Sequence, residues 1–175
     1  IILGKMEQVR IQCALFKGKS MDVFLDRKEL SGDLFKQIEK ADTFIKQYIK
    51  LSGRFVGMQR IDEYEIPEIA IKESIMNAII HRDYSRTGSD IKIALYEDML
   101  SIVSPGQFLC HEYPIDLAMG RSEIRNKVIA RVFKELRYIE SWGSGLPRLL
   151  TSCLDKGLKR PVIEEKGGFV DVQIY

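Results

Sequence analysis

Residues 73–85 read ESIMNAIIHRDYS, and how this stretch is read decides the rest of the chain. At about 100° per residue, with Glu73 at zero, Asn77 lies at about 40°, His81 at about 80° and Ser74 at about 100°. The rest of the circumference is Ile69, Ile71, Ile75, Met76, Ala78, Ile79 and Ile80, interrupted by Glu68 and Lys72. A helix that is apolar almost all round is mostly buried. Glu73 and Asn77 then form a narrow polar seam flanked by core, and a buried carboxylate needs a partner or a ligand. Two readings stand side by side. In one, Glu73 and Asn77 satisfy backbone groups of loops, and His81-Arg82-Asp83 caps the helix end. In the other, a carboxylate and an amide one turn apart orient a water and a divalent metal on a phosphate. A protein-kinase HRDLxxxN loop is excluded: its asparagine would fall on Gly88, and no glycine-rich loop followed by VAIK lies upstream.

Working outward, Pro67 suits the start of this helix, and residues 54–66 before it read as a strand. After it, SDIKIALYEDMLSIVSPG reads as a strand pair turning at Glu97-Asp98. A long irregular stretch over 105–122 follows, the pattern of a loop that walls or covers a pocket. Residues 125–136 form an amphipathic helix with Val128, Ile129, Val132, Phe133 and Leu136 inward and Lys127, Arg131 and Lys134 on a solvated face. The glycine-rich ESWGSGLP opens another helix near Pro147 that ends near Gly157. PVIEE and GGFVDVQIY close the chain as a hairpin. Upstream, residues 8–26 alternate as a hairpin and 32–50 repeat with a helical period. A boundary is expected near residue 52. Two strands and a helix offer little core, so residues 1–50 are expected to dock on the remainder or to pair with another chain.

The bulk composition excludes several classes. The 175 residues are 45% hydrophobic and 30% charged, ordinary for a globular domain. A net charge of +2 gives no electrostatic footprint for nucleic acid. Cys13, Cys110 and Cys153 are odd in number and widely spaced, which fits a reducing, cytoplasmic setting. Two histidines supply no zinc spacing, no P-loop is present, and no apolar run reaches the roughly 20 residues of a membrane span. The opening IILGKMEQVR reads as the edge of a fragment of something longer.

A second segment bears on the seam. In WGSGLPRLL, Gly143 and Gly145 precede a helix, and amides exposed at a helix N-terminus bind anions. The plainer reading is a tight turn that lets Trp142 pack.

The ordered set IPEIAIKESIMNAIIHRDYS, SIVSPG, GRSEIRN and LRYIESWGSGLPRLL resembles the RecG-related helicase C-terminal and transcriptional-regulator family, over about residues 54–175. Residues 1–52 resemble the tail of the Alba-type, Schlafen-like domain that precedes it, leaving 53–175 as the ATPase-like domain. The resemblance implies an α+β fold, a two-layer sandwich of the GHKL (Bergerat) type. It also implies ATP and Mg²⁺ as ligands. Glu73 would orient or activate water, Asn77 would ligate Mg²⁺, and Gly143, Gly145, Gly106 and His81 would contact the nucleotide. The family's adenine-reading aspartate is replaced by Ser104, so hydrolysis is expected to be weak. No helicase motif is present. The function expected is nucleotide-binding regulation of a DNA-associated transcriptional regulator. DNA contacts would come through other domains, a second copy is a candidate partner, and no membrane is involved. The alternative is an interaction or dimerisation module that has lost its nucleotide.

Overall fold

The structure is a computed structural model that describes residues 9–109, 123–139 and 144–175, with backbone alone at 54–56 and 61. Its centre is a sheet in which 11–13 and 91–95 alternate in burial. Strands β1 (Ile11–Phe16), β2 (Phe24–Leu30), β5 (Ile91–Leu95), β6 (Leu100–Pro105), β7 (Val162–Lys166) and β8 (Phe169–Ile174) lie in the order β2-β1-β5-β6-β8-β7. All neighbours are antiparallel except β1 and β5, which run parallel with Cys13 opposite Ile93. The register carries one row across the sheet: Cys13, Ile93, Ile102, Val172 and Ile163. This row and its neighbours Ile11, Leu95, Leu100 and Ile174 face the helices as one core. The other face is polar. There Ser101 Oγ bonds Asp171 at 2.8 Å and Gln173 bonds the same carboxylate at 2.6 Å. A sheet with one apolar face takes helices on that face only.

Among the described residues, four helices cover it. Helix α1 (Leu34–Tyr48) starts at Asp33, whose carboxylate accepts from the Lys36 amide at 3.0 Å, an N-cap of the usual kind. It buries Leu34, Ile38, Ala41, Phe44 and Ile45 against β1, β2 and β5. Helix α2 (Glu68–His81) follows Pro67, whose carbonyl accepts from the amides of Ala70 and Ile71. It packs on β6 and is flanked by α1, α3 (Lys127–Glu135) and α4 (Gly145–Asp155). That central place requires apolar residues on nearly every side, which ESIMNAII supplies.

Two elements differ from expectation. Residues 54–66, read as one strand, belong to a separate hairpin, β3 (Leu51–Val56) and β4 (Gln59–Tyr64). Gly57 turns it at φ 62°, a conformation glycine adopts without penalty. In α3 only Ile129, Ala130 and Phe133 are buried, while Val128 is 70% and Leu136 53% exposed. The helix touches its neighbours along a narrower stripe than its five apolar residues indicated. The residues on both sides of position 52 share one sheet and one core, through the β1–β5 pairing and the packing of α1 on α2. Among the described residues, no helix is long and apolar enough to cross a membrane.

Candidate functional site

Helix α2 carries different chemistry at its middle and at its end. In the middle, Glu73 is 95% buried, at 5% exposure. Its Oε1 accepts from Arg148 Nη2 at 2.7 Å. Its Oε2 lies against Gly145, the first residue of α4: a Cβ at 145 would collide with that oxygen. Only a residue without a side chain lets the two helices close over the carboxylate. The carboxylate therefore sits at the N-terminal end of α4, where the partial positive charge of the unpaired amides favours an anion. Arg148 is held in the first turn of the same helix, its amide bonded to the Ser144 carbonyl at 3.0 Å. Asn77, one turn further along α2, is half-buried, and no described residue hydrogen-bonds its amide. Gly143 lies outside the described residues, as do 110–122 of the expected covering loop.

At its end, α2 must dispose of carbonyls that have no partner within the helix. Ala78 O accepts from Ser104 Oγ at 2.7 Å, Ile79 O from the Tyr84 hydroxyl at 3.0 Å, and Ile80 O from Asn126 Nδ2 at 2.7 Å. The same Asn126 nitrogen reaches Arg82 O at 2.8 Å, and the Asp83 amide donates to Pro105 O at 2.7 Å. Gly106, at φ 140°, lies under this turn. A Cβ there would meet His81 O at 3.1 Å and the Asp83 amide at 3.3 Å. The motifs HRDYS, SIVSPG and IRN thus meet in a single cap that joins the end of α2 to the end of β6. Ser104 points toward the helix layer and spends its hydroxyl on Ala78. The cap comes from Ser104, Tyr84 and Asn126, where the sequence had pointed to His81-Arg82-Asp83.

The electrostatics of the cap follow from burial. Tyr84 is pushed up to about 12 by desolvation, so its hydroxyl stays protonated as a donor. His81 is held below its ordinary 6.5 by burial and by nearby Arg125, which leaves it neutral at pH 7. Arg82 is fully buried. Its guanidinium donates to Ser89 O at 2.6 Å and lies 4.8 Å from the Tyr84 ring centre, and burial lowers its pKa. Arg125 bonds Gln107 O at 2.9 Å, tying the start of α3 to the strand end.

The expected site residues therefore fall into two groups. Glu73 and Gly145 meet directly. His81, Gly106 and Ser104 meet at the far end of α2, about 12 Å along the axis from Glu73 at 1.5 Å per residue. Asn77 lies between them. Arg148 and Asn126 were missed in the sequence. Both occur inside quoted motifs, and the signal available was a polar side chain placed beside a helix start. Among the described residues, no group of three or more histidines, cysteines or acids stands ready to hold a metal.

Comparison with known proteins agrees with this architecture. The DIP2311 protein of Corynebacterium diphtheriae, a solved structure, is similar over 98% of this chain with a TM-score of 0.80 and 23% identity. The likeness is one of fold, and the chain spans 35% of that protein's length. No curated protein matches the chain. Residues 88–174 match the family described as "Putative ATP-dependent DNA helicase recG C-terminal". This segment runs from the approach to β5 through β8 and contains Ser104, Gly106, Asn126, Gly145 and Arg148, and it belongs to the RecG C-terminal, ATPase-like family.

Proposed function

We propose that the chain is a nucleotide-binding regulatory domain of the GHKL type that binds phosphates between the α2 seam and the start of α4. The observation that carries this is the contact of Glu73 with Gly145, which sets the seam's carboxylate against the one described helix start that follows the glycine loop. Asn77 follows one turn along α2, and no described residue hydrogen-bonds its amide. Mg²⁺ commonly binds through one or two protein oxygens together with substrate phosphates, keeping several waters. A single amide oxygen at Asn77 fits an ion that arrives with a nucleotide; it does not fit a resident ion held by protein alone. Bound there, Mg²⁺ would neutralise phosphate charge. The protein's own part is to orient: Asn77 toward the metal, the α4 amides and Gly143 toward phosphate oxygens, and Glu73 toward water. Neutral His81 and Gly106 would line the far end, where a base would lie.

Turnover is expected to be slow. Ser104 takes the place of the base-reading acid and is already bonded to Ala78, so no carboxylate fixes the base there. Regulation of a DNA-associated protein, a partner copy and DNA contacts through other domains are parts of the same proposal. The second reading, an interaction module without nucleotide, is favoured by one observation: Glu73 already has a protein partner in Arg148. Calorimetric titration of the purified chain with ATP and Mg²⁺, beside Asn77→Ala, separates them. Saturable binding weakened by the substitution supports the first, and no heat of binding in either protein supports the second.

A further inference from the structure

Among the described residues, Glu73 is the one carboxylate in the candidate site, and both of its oxygens lie against α4. Oε1 is engaged by Arg148 at 2.7 Å, and Oε2 is covered by the first residue of α4, too close for even a Cβ. A group that takes a proton from water needs an oxygen within hydrogen-bond reach of that water. Arg148 is two-thirds buried, at 34% side-chain exposure, while Glu73 is at 7%. The arginine is therefore the more exposed member of the pair. Its placement has a local cause: residue 148 lies three positions after Gly145, so its side chain shares the face of α4 that Gly145 presents to α2.

We propose that Arg148 is a built-in restraint on Glu73, an autoinhibitory ion pair that keeps the carboxylate from activating water. The inference rests on the nucleotide-binding reading above. Arg148 acts through Glu73 as a positioning residue and touches no reacting atom. In the reaction it restrains, the water oxygen forms a bond to the γ-phosphorus. The bond from phosphorus to the bridging oxygen breaks, and that oxygen leaves with its electron pair on the diphosphate. The water proton passes to Glu73. With Arg148 in place, Oε1 is committed elsewhere. Without it, Oε1 loses its bound cation and is released to accept from water.

The experiment compares the full chain with Arg148→Gln, Arg148→Met and the double variant Arg148→Gln with Glu73→Gln. ATP·Mg²⁺ affinity is measured by calorimetry, phosphate release by a coupled assay, and folding by thermal melting. Arg148→Met keeps the packing of the stem and serves if the glutamine variant melts too early. The expected result is affinity within about threefold of the parent and turnover at least about tenfold higher, lost in the double variant. A merely structural arginine would change melting without that split between binding and turnover. Unchanged or lower turnover in a folded variant that binds nucleotide overturns this inference and leaves the nucleotide reading standing. Affinity lost in the variants and kept in the parent also overturns it, since Arg148 would then be a phosphate contact. No binding by any of the proteins overturns the nucleotide reading and this inference together.

Discussion

At position 104 a hydroxyl meets the Ala78 carbonyl at 2.7 Å in a site that is 6% exposed. Removing it leaves a buried carbonyl without its partner, so Ser104→Ala is expected to cost about 1–3 kcal/mol in denaturant unfolding. Ser104→Asp, which restores the residue type of the resembled family, should cost more and gain no nucleotide affinity, because an ionised oxygen would face the Ala78 carbonyl. A gain in affinity on that substitution would show that position 104 looks into a base pocket. Gly106→Ala combines a left-handed φ of 140° with a Cβ 3.1 Å from His81 O, and about 1–3 kcal/mol of lost stability is expected. His81 gives a pH signature. Its folded pKa lies below 6.5, so above pH 6.5 it is neutral in both states and contributes nothing. As pH falls below 6.5 the unfolded chain takes up the proton first, and stability declines until the folded histidine also titrates. His81→Gln should flatten the part of the stability–pH curve just below 6.5, and an unchanged slope would contradict the burial assigned to this ring.

The helix ends show how much an element depends on a single residue type. Helix α4 closes with Leu158 N to Cys153 O at 3.0 Å and Gly157 N to Leu154 O at 2.9 Å, with Gly157 at φ 79°. This is the Schellman arrangement, which favours glycine at that position. Helix α3 closes in the same way, with Tyr138 N to Phe133 O at 2.8 Å and Arg137 N to Lys134 O at 3.0 Å, and the accompanying Phe133–Tyr138 ring contact at 5.8 Å. Here the left-handed residue is Arg137, at φ 60°. Arg137→Gly should therefore raise the stability of the folded chain by about 1 kcal/mol, read as a higher unfolding midpoint. A lower midpoint would mean that the arginine side chain makes a contact that outweighs the backbone strain. The helix positions themselves were legible in the sequence because each has its own periodicity. The 51–64 hairpin was not, because Gly57-Met58 interrupts two short strands whose apolar residues do not alternate cleanly. The cap on α2 was illegible for a different reason. Ser104, Tyr84 and Asn126 come from three separate segments, and only the fold makes their convergence on consecutive carbonyls visible. Glu73 was legible because a carboxylate in an apolar helix is costly unless partnered. Its partner was not, because Arg148 is 75 positions away.

In the whole molecule, the sheet crosses the expected boundary at residue 52. β5 takes its parallel partner from β1, and α2 is flanked by α1. Removing residues 1–52 would leave β5 as an exposed edge and strip Ile11, Cys13, Phe44 and Ile45 from the core. A chain of 54–175 is therefore expected to aggregate or to lose its cooperative thermal transition, and a sharp two-state melt of that fragment would show that the two parts are separable domains. The site also depends on this wholeness, since α1 and the sheet fix α2, and α2 carries Glu73 to the start of α4. The central claim is that these residues and the α4 start form one phosphate-binding site. Its most direct measurement is the ATP·Mg²⁺ affinity of the intact chain and of Asn77→Ala, both confirmed folded. The account predicts a saturable isotherm that the substitution weakens at least about tenfold, equivalent to about 1.4 kcal/mol. Binding of equal strength in both proteins, or none in the intact chain, would contradict it.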